Sequence, residues 1–86
     1  MTYTVVVETS AERDLKRLPD DLLRRVDAEL LALSGNPRPP GVAKLHGREG
    51  VGWRIRVRDY RVLYTIDDKA RIVSVYRIRH RARVYR

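Results

Sequence analysis

The chain has 86 residues, a formal net charge of +8, 43% hydrophobic and 35% charged residues, and no cysteine. That length allows one compact domain, residues 1–86, with a small core, and the apolar share is too high for a disordered chain. The missing cysteines exclude a disulfide framework, a thiol nucleophile and a cysteine-based zinc site, and two histidines, His46 and His80, are too few for a histidine-rich metal site; no cofactor is expected.

The opening Met1-Thr2-Tyr3-Thr4 lacks the basic region and apolar core of a signal peptide, and no run approaches 18 apolar residues. A cytoplasmic protein with no membrane association is expected. Residues 3–8 are β-branched and apolar and predict a short strand. Thr9-Ser10-Ala11-Glu12 fits a capping box, a hydroxyl followed three residues later by a carboxylate. The helix it opens carries Ala11, Leu15 and Leu18 on one face and is expected to stop at Pro19. Asp20 and Asp21 suit the start of a second helix, whose dipole favours anions. Leu22, Leu23, Val26, Leu30 and Leu33 recur there at helical spacing, until Gly35 and Pro37 end it.

Residues 35–52 read as one long loop, with all five glycines and three of the four prolines. Long loops in compact domains are often functional. In residues 53–58 apolar and basic residues alternate strictly, which sends Trp53, Ile55 and Val57 to one face and Arg54, Arg56 and Arg58 to the other. Tight turns at Arg58-Asp59 and Asp67-Asp68-Lys69-Ala70 frame a strand over 60–66. Residues 71–79 are apolar in the middle, which suits an interior strand buried on both faces. The tail from His80 to Arg86 is basic.

The predicted order is β-α-α-β-β-β. The economical packing is a two-layer α+β domain: the helical hairpin covers one face of a largely antiparallel four-stranded sheet and the other face stays open. Residues 1–43 carry net −1 and residues 44–86 net +9, so the excess charge belongs to the sheet half. Sixteen of the nineteen cations are arginines. Arg54, Arg56, Arg61 and Arg79 are expected to converge on the open face, with Arg81 close by. Guanidinium groups offer planar forks of donors matched to phosphate oxygens. Clustered like charges make most sense with an anion between them. The alternative is a solvated arginine surface paired with carboxylates, but this half holds only Glu49, Asp59, Asp67 and Asp68. Tyr85 either stacks on a base or shares in proton transfer, or it packs the tail on the sheet. His46 and His80 have the only side chains that ordinarily titrate near neutrality and are candidate bases or plain surface residues. Trp53 reads as core.

Together these segments resemble the RelE/ParE superfamily of small toxins from bacterial toxin–antitoxin pairs. The resemblance spans the chain and rests on Ala11-Glu12-Arg13-Asp14-Leu15-Lys16-Arg17-Leu18-Pro19, Lys44-Leu45-His46-Gly47, Trp53-Arg54-Ile55-Arg56-Val57, Asp59-Tyr60-Arg61-Val62-Leu63-Tyr64 and the ending His80-Arg81-Ala82-Arg83-Val84-Tyr85-Arg86. It implies a RelE-like fold and a metal-independent, ribosome-dependent mRNA endonuclease acting in the ribosomal A site. The 2′-hydroxyl attacks the adjacent phosphate, leaving a 2′,3′-cyclic phosphate and a free 5′-hydroxyl. By position, Arg61 and Arg79 are implied to hold the scissile phosphate, with Arg79 also a candidate to protonate the leaving oxygen, and Tyr85 to stack on or orient a base. Arg54 and Arg56 stand where well-known members carry lysines. Lys44, His46, Arg58, Arg81 and Arg83 are the expected further RNA contacts. Because guanidinium stays protonated, the general base is His46, another histidine, Tyr85 or the ribosome. The resemblance also implies a cognate antitoxin with an acidic binding segment, and operator DNA bound only through that antitoxin. The alternatives are a ParE-like DNA gyrase inhibitor and a non-catalytic RNA-binding module.

Overall fold

The computed structural model describes residues 2–81. Strand β1 (Thr4–Val7) leads into helices α1 (Thr9–Lys16) and α2 (Asp20–Gly35), followed by strands β2 (Ala43–Lys44), β3 (Trp53–Val57), β4 (Tyr60–Asp67) and β5 (Ile72–His80). The strands form one sheet in the order β1-β5-β4-β3-β2. β1 runs parallel to β5, and the other neighbours are antiparallel. The sheet thus has five strands where four are predicted. The extra one, β2, lies within the segment read as a loop, and two residues are too few to carry an alternating pattern.

Both helices pack on one sheet face. Ala11, Leu18, Leu22, Val26, Leu30 and Leu33 meet Ile55, Val57, Val62, Tyr64, Val73, Val75 and Ile78 in one buried core. This is the face that the alternation assigns to Ile55 and Val57. Trp53 packs at the margin of that core. β5 is interior, as expected, but is not buried on both faces: Val73, Val75 and Ile78 are buried, whereas Ser74, Tyr76 and Arg79 are half-buried.

The expected capping box at Thr9 does not form. Glu8 is the N-cap and Thr9 already lies in the helix. The Ser10 hydroxyl instead donates to the Tyr76 carbonyl oxygen at 2.8 Å, tying α1 to β5. Helix α1 ends at Lys16 with Arg17 as its C-cap, so Pro19 serves as the N-cap of α2 rather than the stop of α1. Proline suits this place because a residue outside the helix needs no intrahelical amide bond.

The loop after α2 is pinned at two points. Arg38 makes a two-pronged ion pair with Asp68, and the Tyr3 hydroxyl donates to the same carboxylate at 2.6 Å. These donors hold the Asp68 pKa down to about 2, so this pair persists on acidification until the pH falls towards that value. The Arg38 guanidinium also stands 5.1 Å over the Trp53 ring. The second pin is the buried Tyr64, whose hydroxyl donates to the Pro37 carbonyl oxygen at 2.7 Å.

Burial pushes the Tyr64 phenol up to about 12. An unfolded tyrosine ionises near 10. Between these values the unfolded chain loses the proton and the folded chain keeps it, so stability falls as pH rises from about 10 to about 12. The Tyr64→Phe variant is expected to flatten this alkaline limb in urea melts, leaving among the described tyrosines the upward shifts at Tyr3 and Tyr76. At neutral pH it should be less stable by about 1 kcal/mol, through loss of the bond to Pro37. A variant whose alkaline limb matched the wild type would remove Tyr64 as its source.

Candidate phosphate-binding face

The face turned away from the helices carries the arginines. In the β3–β4 ladder Arg56 stands opposite Arg61, and in the β4–β5 ladder Arg61 stands opposite Arg79. Three arginines therefore form a row across three neighbouring strands, with directly opposed side chains rooted about 5 Å apart. Arg54 lies two residues from Arg56 on the same face, opposite Leu63. Short turns produce this register, because with only Arg58-Asp59 between β3 and β4 the pairing has little room to slip.

Arg79 is half-buried, and its Nε is a buried donor without a hydrogen-bond acceptor among the described residues. A buried polar group of this kind is costly unless something satisfies it. Elsewhere among the described residues, ion pairs join Arg38 to Asp68, Arg58 to Asp21 and Arg77 to Asp14. Asp14 is the most buried of these acids. Its carboxylate accepts from the Ile78 amide at 2.8 Å as well as from Arg77, fastening the end of α1 to β5.

The open face is only half open. After β2 the chain turns through Gly47–Glu49, a single 3₁₀ turn, and covers part of the sheet. Leu45 and Leu63 are buried there, outside the helix-side core. The β4–β5 register shifts at Leu63 and Tyr64, leaving Tyr76 unmatched at a bulge. The Tyr76 hydroxyl donates to the Val51 carbonyl oxygen at 2.6 Å and accepts from the Val51 amide at 3.1 Å. This covering segment, residues 45–52, acts as a roof beside the arginine row. Nothing in the local sequence announces it, because it depends on a bulge and on a tyrosine 25 residues away.

Of the residues expected at the site, Arg54, Arg56, Arg61 and Arg79 come together. Two others lie away from the row. Arg58 sits in the turn at φ 54° and reaches 3.0 Å to Asp21 at the start of α2. A turn residue with positive φ no longer obeys the period of the strand. Lys44 stands opposite Trp53 with its ammonium 5.8 Å from the indole ring, on the side away from the row. His46 is on the roof, where its amide donates to the Glu49 carboxylate. Arg81 is exposed just past β5 and its amide donates to the Asp59 carbonyl oxygen. His80 packs edge-on against Tyr60 at 5.3 Å, and both line a cleft of about 630 Å³ that reaches Asp14 on α1 and Leu18 just beyond it. Arg83 and Tyr85 lie outside the described residues.

This geometry matches known proteins. Residues 5–85 match the family described as the ParE toxin of the type II toxin–antitoxin system, parDE. Toxin RelG of Mycobacterium tuberculosis is 40% identical over 87 residues, covering 100% of this chain and 99% of that protein. The toxin–antitoxin complex RelBE2 from the same organism contains a chain 34% identical with a TM-score of 0.82, covering 94% of this chain and 100% of that one. The archaeal RelE–RelB complex from Pyrococcus horikoshii gives 29% identity and a TM-score of 0.82, covering 96% and 99%. The chain belongs to the RelE/ParE superfamily and is a toxin of the type II toxin–antitoxin class.

Proposed function

We propose that this toxin is a ribosome-dependent mRNA endonuclease that inhibits translation from the cytoplasm. The observation that carries the reading is the cross-strand row Arg56–Arg61–Arg79, with the buried Nε of Arg79 in it. In the reaction the 2′-oxygen bonds to phosphorus as the bond from phosphorus to the 5′-oxygen breaks. The 2′-hydroxyl proton leaves to a base, and the 5′-oxygen takes one up. Negative charge grows on the non-bridging oxygens, where fixed guanidinium donors gain most. The arginines cannot be the base, since they stay protonated. His46 on the roof, Tyr85, or the ribosome remains for that step. Arg81, exposed just past β5, is a further contact to the message on this reading, as is Arg83, which lies outside the described residues.

The relative RelBE2 was solved as a toxin–antitoxin complex, and the archaeal RelE as a complex with RelB. By likeness to them, this toxin binds a cognate antitoxin, and an acidic segment would complement the sheet half at net +9. Operator DNA is reached through that antitoxin.

The deciding experiment incubates purified toxin with a message, with and without ribosomes, and maps the ends by primer extension. Cuts within the A-site codon only when ribosomes are present, with 2′,3′-cyclic phosphate ends, are the expected result. Uncut message together with blocked gyrase supercoiling would replace the reading with that of a ParE-like gyrase inhibitor. Uncut message with retained RNA binding would leave a binding module.

A further inference from the structure

The roof beside the arginine row displays an exposed apolar residue on a firmly held backbone. Val51 is 73% exposed, yet its backbone is held on both sides by one tyrosine hydroxyl. Its neighbours are the glycines that this close approach demands. A Cβ on Gly50 would lie 2.8 Å from the Tyr76 hydroxyl, and one on Gly52 would lie 2.2 Å from the Tyr64 carbonyl oxygen. Both glycines also have positive φ, at 126° and 92°. A lone exposed valine is ordinary. A valine displayed on a loop fixed this firmly is a shaped surface.

That surface borders the phosphate-binding row. Tyr76 and Arg79 belong to the same strand. Burial pushes the Tyr76 phenol up, and the Arg79 charge pulls against that push. A strand of RNA whose phosphate is gripped by Arg61 and Arg79 would have its next nucleotide beside residues 50–52. Nucleobases present flat, weakly hydrated faces that gain from apolar contact.

We propose that Tyr76 is a positioning residue that holds Val51 as an apolar ledge for the nucleobase next to the gripped phosphate. The inference rests on the endonuclease reading above and adds to it a contact that sets binding rather than chemistry. Tyr76 acts through Val51 and touches no reacting atom. The hydroxyl matters because it supplies both a donor and an acceptor to one residue's backbone, which a phenylalanine cannot do.

The test uses the full chain and ribosomes programmed with a message carrying a 2′-deoxynucleotide at the scissile position, which binds but cannot be cut. Tyr76→Phe is expected to weaken binding about tenfold, and Val51→Ala about fivefold, from the lost apolar contact. Single-turnover cleavage of the ordinary message at saturating ribosomes should stay within about twofold of wild type for both, since the row that stabilises the transition state is intact. A thermal melt of each free variant accompanies the assay. If Tyr76→Phe fails to fold, Val51→Ala decides alone, because it leaves every backbone bond of the roof in place. Wild-type affinity in Val51→Ala, or a loss confined to the saturated rate, overturns the proposal. A wild-type toxin that does not bind programmed ribosomes at all overturns the endonuclease reading, and this inference with it.

Discussion

On the proposed endonuclease activity, Arg79→Ala is expected to lower the single-turnover rate of A-site cleavage by about 10²–10³-fold, the size of effect seen when one fixed donor to a developing oxyanion is removed. Arg61→Ala falls in the same range. The double variant is expected to lose less than the product of the two if both donors serve one phosphate, because they then act as a unit. The fold supplies the controls. Arg58 is engaged with Asp21 and Lys44 lies against Trp53, on the side away from the row. Arg58→Ala and Lys44→Ala should therefore stay within about threefold of wild type, even though each removes the same unit of charge. A general loss of electrostatic attraction would instead affect all four variants alike and would show as weaker binding at higher salt. Equal losses across the four would sink the assignment of the row. So would an Arg79→Ala toxin that folds and cleaves at the wild-type rate.

Leu33→Ala destabilises the free toxin by about 3 kcal/mol, within the range for emptying a leucine site in a packed core. Leu33 is 1% exposed, near the end of α2, and belongs to the core beneath the sheet. A domain of this size holds roughly 4–13 kcal/mol in total, so the loss is a large share. The melting temperature should drop by about 12–24 °C, readable by circular dichroism. The measurement needs toxin free of antitoxin, because a partner that binds only the folded form raises apparent stability by mass action. A drop of only a few degrees would mean that the α2–sheet contact is not what holds the domain together. Leu31, 75% exposed two residues earlier on the same helix, is the matched control and should tolerate alanine with little change.

Much of the arginine face is legible in the sequence. Strict alternation over Trp53–Val57 puts Arg54 and Arg56 together, and two short turns carry Arg61 and Arg79 into line with them. What alternation cannot reach is the residue where the strand stops. Arg58 leaves the pattern because its φ is positive, and Lys44 sits on a two-residue strand with no pattern to read. The capping box at Thr9 is a sound local signal that loses to tertiary contacts, since Ser10 commits its hydroxyl to β5. The roof escapes a sequence reading for a different reason. Its bonds join Val51 to Tyr76 at the β4–β5 bulge and Gly52 to Leu45 beside the two-residue β2, and neither periodicity nor composition records such pairings. The fold is therefore readable where contacts are local, and the site only where it follows a strand.

The parallel pairing of β1 with β5 has a consequence for how this protein comes into being. Residues 4–7 are made early and find their partners only at 72–75. The Thr4 amide likewise waits for the Arg71 carbonyl oxygen. Contacts this distant in sequence close late, because the loop entropy must be met before any bond rewards it. A nascent chain paused before residue 72 carries the segments of both helices and of the β3–β4 hairpin but leaves a gap in the sheet between β1 and β4. Arg79 belongs to the strand that fills it, so a partly made chain lacks both the finished fold and the third arginine of the row. The sheet is thus expected to close only once β5 has been made and has joined β1 to β4.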